Sequence, residues 1–309
     1  VWISEIMLQQ TTVNAVIPYF EKFINKFPDI YSLANSKIED VLSSWAGLGY
    51  YSRARNIHKC AEIIVRQFDG VFPKIEIELI KLPGIGDYTA GAICAIAYNR
   101  VAIAVDVNIE RIVSRIYNKH NAKKAKIKFL IRKIIPNDRP GDFTEALMDL
   151  GSKVCKVRDP NCIICPLNSI CKTYLENKGA LFKIVKNRKN INIRYGNCYI
   201  ICRYKDNKYF FIRRPNNGLL GGMLSFPSSK WLEDKNKLYN EEVFEGIINK
   251  SNVNKSSYLV THTFSHFKLI LNIYSLKIKN IMELEGDWLE LDKAFHQLPS
   301  LMKKVANTI

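Results

Sequence analysis

Cys155, Cys162, Cys165 and Cys171 stand in one short tract, in the pattern C-x6-C-x2-C-x5-C. Structural zinc sites usually draw on two tight cysteine pairs well separated in sequence, whereas this tract holds a single tight pair. The uneven spacing therefore fits a [4Fe–4S] cluster, with all four sulfurs on the irons, better than zinc or four unrelated thiols. Pro160 before Cys162 and Pro166 after Cys165 imply a stiff, irregular loop wrapped around something. Upstream, two carboxylates have contrasting neighbours. Glu5 lies among Trp2, Ile3, Ile6 and Leu8, where loss of solvent raises a carboxyl pKa; Asp106 precedes a helix start at Asn108, whose N–H groups keep a facing carboxylate charged. Taken alone each has a plainer reading, Glu5 as a favourable residue near a helix N-terminus after Ser4 and Asp106 as a helix cap. Between them lies Leu82-Pro83-Gly84-Ile85-Gly86, a hairpin whose glycines permit a tight turn before the small-residue stretch Thr89-Ala90-Gly91-Ala92. Such a turn aims backbone N–H groups outward, ready for a phosphate, or simply connects two helices.

These residues need helices to hold them. Val13, Val16, Ile17, Phe20, Ile24 and Phe27 step by three or four, as do Ile57, Cys60, Ala61, Ile64 and Phe68, then Ile109, Ile112, Val113 and Ile116, and finally Phe143, Ala146, Leu147, Leu150 and Val154. Each series predicts one buried helical face. Ser36 with Glu39 predicts a capping box for a helix that Gly47 and Gly49 close. Lys- and Asn-rich sequence over 176–194 reads as a linker. Beyond it the period falls to two: Cys198, Ile200 and Cys202 alternate, Lys205-Asp206-Asn207 turns, Tyr209 to Ile212 runs as a second strand, and Phe267, Leu269, Leu271 and Ile273 alternate again. An all-α part over 1–175 followed by an α+β part over 195–309 is the simplest architecture, with no internal repeat.

The chain's 309 residues suffice for two domains with ordinary cores, and 47% hydrophobic with 11% aromatic residues mark it as globular. Its 46 Lys and Arg against 29 Asp and Glu give a net charge of +17, spread along the whole length, so a polyanion is the expected partner, nucleic acid ahead of an anionic membrane surface. No apolar run is long enough to span a membrane and no charged-then-apolar leader opens the chain, which implies a cytoplasmic location. Cys60, Cys94, Cys198 and Cys202 fall in apolar stretches and read as reduced, buried thiols. Val1-Trp2 at the start, without methionine, reads as the opening of a fragment.

The order of hairpin, Val105-Asp106-Val107-Asn108 and cysteine quartet resembles the helix–hairpin–helix DNA glycosylase superfamily that includes endonuclease III. Within it, Trp2-Ile3-Ser4-Glu5-Ile6-Met7-Leu8-Gln9-Gln10-Thr11 and Gly47-Leu48-Gly49-Tyr50-Tyr51-Ser52-Arg53-Ala54-Arg55-Asn56 look like the catalytic-acid and DNA-wedging segments of the adenine glycosylase family. The resemblance implies that Glu5 protonates adenine on its imidazole nitrogen and that Asp106 lies beneath the sugar. It implies further that Gln10 and Tyr50 fill the space left in the duplex, that Glu145 holds the adenine edge with Leu8 and Val13 in the same pocket, and that Gln9, Thr11, Gly47, Pro83, Gly84, Gly86, Tyr88 and Asn108 meet DNA. The implied substrate is double-stranded DNA carrying adenine opposite 8-oxoguanine or guanine, bound by a monomer. Two departures stand out: Val107 where the family usually has glycine, and a family N-terminal segment, adding a helix to the cluster domain and aromatic and arginine residues to the adenine pocket, that precedes Val1.

The chemistry agrees with those roles. Cleaving an N-glycosidic bond leaves positive charge on the sugar and negative charge on the base, so one carboxyl must be neutral to donate a proton and another ionised to stabilise. Bifunctional members carry a lysine two residues after the hairpin's final glycine, which attacks the sugar as an amine; here that place is Tyr88, and a phenol forms no imine. A monofunctional enzyme using water follows, acting on an extruded base.

From about Tyr195 the chain resembles the MutT-like C-terminal domain of the same family, through Arg213-Arg214-Pro215, Gly218-Leu219-Leu220-Gly221-Gly222-Met223, Phe226-Pro227 and Thr261-His262-Thr263-Phe264-Ser265-His266. Phe264, Ser265 and His266 are, by that resemblance, the loop that reads 8-oxoguanine; otherwise His262 and His266 are ordinary surface histidines. Glu241, Glu242 and Glu245 cluster without the arginine-glutamate pair of a Nudix metal box, so this Nudix-like fold reads as kept for binding. Three rivals stand beside this reading. They are an endonuclease III-like lyase on oxidised pyrimidines, opposed by Tyr88 and the long second half, a catalytically silent lesion-binding protein, and a nucleotide-sanitising hydrolase, opposed by the missing metal box.

Overall fold

A computed structural model describes residues 1–119, 122–176, 191–216, 218–238, 253–278 and 285–309. The glutamates Glu241, Glu242 and Glu245 and most of the predicted linker lie outside the described residues. The chain divides into two compact units, Val1–Asn35 with Asn56–Asn187, and Ser36–Arg55 with Arg188–Ile309.

The first unit is helical. Its site-bearing elements are α1 (Trp2–Leu8), α2 (Val13–Lys26), α5 (Ser52–Phe68), α6 (Glu76–Leu79), α7 (Asp87–Ala92), which runs on into a π-helical turn Ile93–Ala97, α8 (Val107–Ile116), α9 (Lys124–Arg132) and α10 (Pro140–Lys153). The predicted faces of α5 and α8 are buried through Ile57, Cys60, Ala61, Ile64, Ile109, Ile112 and Val113. The α2 series departs from expectation: Val16 and Phe27 are buried, as is Phe23 outside the series, but Val13, Ile17 and Ile24 are 60%, 48% and 39% exposed. An apolar stripe wider than the contact available to a helix leaves its flank in solvent. On α10, Leu147 is buried but Ala146 is exposed. The capping box also departs. The helix α4 (Ile38–Ser44), part of the second unit, takes Lys37 as N-cap without a side-chain bond, whereas in the first unit Asp29 and Ser32 form a reciprocal box on Ile30–Ala34.

The second unit carries a mixed sheet. Among the described residues it is six-stranded, in the order β3 (Leu224–Ser225), β2 (Tyr209–Arg213), β1 (Asn192–Arg203), β5 (Phe267–Ile278), β4 (Val253–Thr263), with β6 (Asp287–Leu289) also on β2. The long pair β1 and β5 runs parallel in unbroken register from Asn192 opposite Phe267 to Arg203 opposite Ile278, and the other pairs are antiparallel. One face packs Cys198, Ile200, Leu269, Leu271 and Ile273 against Leu298, Leu301 and Met302; the other packs Tyr199, Ile201, Phe210, Leu276 and Ile278. The alternation on β5 is as predicted. On β1, however, burial is continuous from Gly196 to Cys202, because Tyr199 and Ile201 are apolar too and both faces are covered. Cys60, Cys94, Cys198 and Cys202 are buried free thiols, and no described helix is long and apolar enough to cross a membrane.

Candidate active site

Glu5 sits on α1 with 9% of its surface exposed. Burial is the main cause that lifts its carboxyl above the ordinary carboxylate value; a hydrogen bond from the Tyr88 phenol pulls it back, and the nearby charges of Asp106 and Glu145 add to the rise. A carboxyl so placed keeps its proton further toward neutral pH, as a general acid must. Burial and the negative charge of Glu5 push the Tyr88 hydroxyl well above its ordinary value, so it remains a neutral donor. Asp106 is the N-cap of α8. Its Oδ1 accepts from the backbone N–H of Asn108 and Ile109 at 2.9 and 2.7 Å, and its Oδ2 accepts from the Asn108 side chain at 2.9 Å. Three donors and a helix N-terminus thus converge on one carboxylate, an arrangement that complements negative charge. Val107, at the first helical position, points into solvent at 73% exposure, so its side chain leaves the cap intact.

Close helix approach fixes these positions. A β-carbon on Gly91 of α7 would come within 2.6 Å of the Ile103 carbonyl oxygen, just before Asp106, and one on Gly151 of α10 would come within 2.6 Å of the Asn108 Cβ. Only glycine allows both contacts. Glu145 is exposed on α10, yet near enough to act on Glu5; Leu8 is half-buried and Val13 exposed.

From Asn108 a polar chain leads to the cysteine tract. Arg111 donates from Nη2 to Asn108 Oδ1 and the Gly151 carbonyl, both at 2.7 Å, and from Nε to the Cys155 carbonyl at 2.7 Å. Arg115, 6% exposed, donates to Cys155 Sγ at 3.1 Å and to the Lys156 carbonyl at 2.8 Å. Cys155, Cys162, Cys165 and Cys171 all line one small cavity of about 30 Å³. Burial, and after it the neighbouring thiols of Cys155, Cys165 and Cys171, push the Cys162 thiol up. Among the described residues no three donors converge as tightly as a single ion requires. An all-thiol set around a cavity suits iron–sulfur ligation.

The hairpin between α6 and α7 exposes Gly84 and Gly86, with Pro83 and Tyr88 half-buried. Gly84 has φ +77°, and a β-carbon there would meet Asn56 Cβ at 2.7 Å. Gln9 donates to the Thr89 hydroxyl at 3.4 Å, and the Thr11 hydroxyl donates to the Gln9 carbonyl at 3.3 Å. Gln10 and Tyr50, the two residues matched to duplex filling, both stand in the left-handed backbone region, at φ +58° and +49°. Such conformations are uncommon outside glycine and cluster at functional sites.

In the second unit, exposed Gly47 and Tyr50 line a cavity of about 520 Å³ with Arg55, Gly218–Gly221, His262, Thr263, Phe264, Ser265 and Ser300. The turn after β4 closes through a bond from the Phe264 N–H to the Phe267 carbonyl at 2.8 Å, leaving Ser265 and His266 exposed at its tip. Arg53 props the Tyr50 loop. It bonds the Leu48 and Gly49 carbonyls at 3.3 Å, lies 5.5 Å from the Tyr50 ring centroid, and is lowered by burial to about 10. Sequence reasoning gave no role to Arg53, Arg111 or Arg115; arginines on helices beside turn glycines and a cysteine tract were the available signal.

A family model described as HhH-GPD superfamily base excision DNA repair protein matches residues 3–137, and a NUDIX domain model matches residues 198–308. A curated adenine DNA glycosylase of Buchnera aphidicola subsp. Baizongia pistaciae (strain Bp) is 44% identical over 229 residues, 73% of this chain and 65% of its own length. That of Buchnera aphidicola subsp. Acyrthosiphon pisum (strain APS) is 35% identical over 325 residues, covering 99% of this chain and 88% of the relative. A solved structure of a non-covalent endonuclease III–DNA complex is similar to the helical part, with 26% identity, a TM-score of 0.52, and coverage of 57% of this chain and 84% of that one. With these two domain matches and 35% identity to a curated relative over nearly its whole length, the chain belongs to the adenine DNA glycosylase family of helix–hairpin–helix base-excision-repair proteins.

Proposed function

We propose that the chain excises adenine from duplex DNA where it is mispaired with 8-oxoguanine or guanine, as a monofunctional glycosylase that leaves an abasic site. The observation that carries this is the juxtaposition of a buried Glu5, hydrogen-bonded by Tyr88 and lifted toward its protonated form, with Asp106 held on the N-terminus of α8. Glu5 gives its proton to the adenine imidazole nitrogen as the glycosidic bond breaks and its electron pair leaves with the base. Asp106 stabilises the sugar cation, and water adds to the sugar carbon with loss of a proton. Tyr88 occupies the place of the lyase lysine and forms no imine, which opposes an endonuclease III-like lyase. Glu145, Leu8 and Val13 border the adenine; Gln9, Gln10, Thr11, Gly47, Tyr50, Pro83, Gly84, Gly86, Tyr88 and Asn108 meet the DNA.

The thiol-lined cavity and the Arg115 contact to Cys155 support a [4Fe–4S] cluster held by Cys155, Cys162, Cys165 and Cys171. When bound it would cross-link a loop flanked by exposed Lys153, Lys156 and Arg158, which suit phosphate contacts. The cavity beside Phe264, Ser265 and His266 suits the base opposite the adenine. A monomer acting on cytoplasmic, nucleoid-bound DNA completes the reading.

Incubation with adenine:8-oxoguanine duplex, followed by separate assays for free base and for strand breaks before and after alkali, tests it. Free adenine with breaks only after alkali is expected. Breaks without alkali, together with a borohydride-trapped protein–DNA adduct, would return the chain to the lyases.

A further inference from the structure

Arg213-Arg214-Pro215 has no part in the chemistry above, yet its second arginine stands where two walls of the opposite-base cavity meet. One wall is the loop Gly218–Gly222, with Gly218, Leu220 and Gly222 at φ +88°, +57° and +70°. Leu220 carries a β-carbon in a region that disfavours one, so the loop needs outside support. Arg214 supplies it three times over. Its carbonyl accepts from the Gly222 N–H at 3.0 Å, its N–H donates to the Met223 carbonyl at 3.1 Å, and its Nε donates to the Leu219 carbonyl at 3.2 Å. Arg55 also donates to the Gly221 carbonyl.

The second wall is the turn carrying Phe264, Ser265 and His266. The Arg214 guanidinium carbon lies 4.8 Å from the Trp231 ring centroid. Trp231 packs on Phe264 at 5.7 Å, Phe264 stacks on Phe267 at 4.9 Å, and His262 meets the Phe264 ring edge-on at 4.7 Å. Trp231 Nε1 and His262 Nδ1 are buried without hydrogen-bond partners among the described residues. Ring packing therefore locates Phe264, and the cation over Trp231 links that packing to the glycine-rich wall. A guanidinium can lay its face on an indole while Nε donates in plane; an ammonium offers one point charge and cannot do both.

We propose that Arg214 is a positioning residue that sets the Phe264-Ser265-His266 turn against the Gly218–Gly222 wall, and thereby sets the discrimination between 8-oxoguanine and guanine opposite the adenine. The specificity half of this inference rests on the lesion-reading role given to the turn above; the positioning half does not.

The test uses the full chain as Arg214→Lys, Arg214→Met and, for comparison, Leu276→Ala, which opens a cavity in the core on the other sheet face. Amide hydrogen exchange over Thr263–Phe267 is measured in the free proteins, and single-turnover adenine release on adenine:8-oxoguanine and adenine:guanine duplexes. Both Arg214 variants are expected to exchange faster in the turn and to narrow the preference on the order of tenfold, the scale of one base-edge hydrogen bond. Lysine is expected not to rescue. Leu276→Ala is expected to lower the melting temperature with the preference unchanged. Parent-like exchange in both Arg214 variants overturns the positioning role, and faster exchange with an unaltered preference, or an equal narrowing in Leu276→Ala, overturns the specificity role. A parent that treats the two duplexes alike overturns lesion reading and with it the specificity role, while the exchange data still decide whether Arg214 holds the turn.

Discussion

Glu5 and Tyr88 ride on helices and Asp106 caps one, held by buried helical faces and by glycines that let α10 approach α8 and α7 approach the segment before Asp106. The cavity beside Phe264 and Ser265 is walled by loops, and arginines hold them, Arg53 and Arg214 through the nearby carbonyls of Leu48 and Leu219 and Arg55 through the distant carbonyl of Gly221. Bond breaking tolerates little misplacement of the reacting groups, and rigid elements supply that precision. Reading a partner base calls for exposed polar tips that adjust to a base edge, which loops present more readily. The proposed roles therefore predict different outcomes of substitution: in the first region a change of rate on every substrate, in the second a change in the ratio between substrates.

The largest effects fall on the carboxylates. Glu5→Gln keeps the shape but has no proton to give, and release should fall by roughly 10²–10⁴-fold on both duplexes with binding retained. Asp106→Asn removes the charge proposed to stabilise the sugar cation and should cost about 10²–10³-fold. Single-turnover kinetics on the two duplexes checks both, and a change in their ratio would blur the distinction between the regions. Cys162→Ser and Cys165→Ser come next. Bound iron should be lost and DNA affinity should weaken, with a shallower salt dependence, more than the bond-breaking rate does. Metal analysis with binding titrations over a salt series reads this, and zinc in place of iron in the parent would refute the cluster.

A smaller effect belongs to the Phe264-Ser265-His266 turn. Ser265→Ala with His266→Ala should lose about 1–3 kcal/mol of discrimination on 8-oxoguanine, with guanine-paired adenine nearly unaffected. The smallest is a shift in pH. The Tyr88 hydrogen bond lowers the Glu5 carboxyl against a larger rise from burial, so Tyr88→Phe should lift it further. Activity needs protonated Glu5 and declines as pH rises through that value, so the declining limb should move to higher pH; a limb that stays or moves to lower pH contradicts the contact. Folding carries the same sign: a raised folded-state carboxyl stabilises most below the unfolded value, and that contribution is lost as pH rises through the folded one.

The two regions were unequally legible from sequence. Asp106 could be read because a cap and the helix it starts are adjacent in the chain, and the α8 face because its apolar residues recur at helical spacing. The cysteine tract and the β5 alternation were legible for the same local reason. What failed depended on partners distant in sequence. Val13, Ile17 and Ile24 were expected inside, but exposure depends on what packs against α2; β1 is covered on both faces, which its own alternation does not tell. Ser36 and Glu39 carried the pattern of a cap, and the helix began at Ile38 instead. Arg55 bonds the Gly221 carbonyl 166 positions away, and no spacing rule reaches that far.

One comparison goes most directly to the heart of the matter: adenine release from an adenine:8-oxoguanine duplex by the parent chain and by Glu5→Gln, with binding measured on the same duplex. The expected result is free adenine and an alkali-labile abasic site from the parent, and from the variant tight binding with release reduced by roughly two orders of magnitude or more. Equal release by the two proteins, or strand cleavage by the parent without alkali, would contradict the assignment of Glu5 as the acid and of water as the nucleophile.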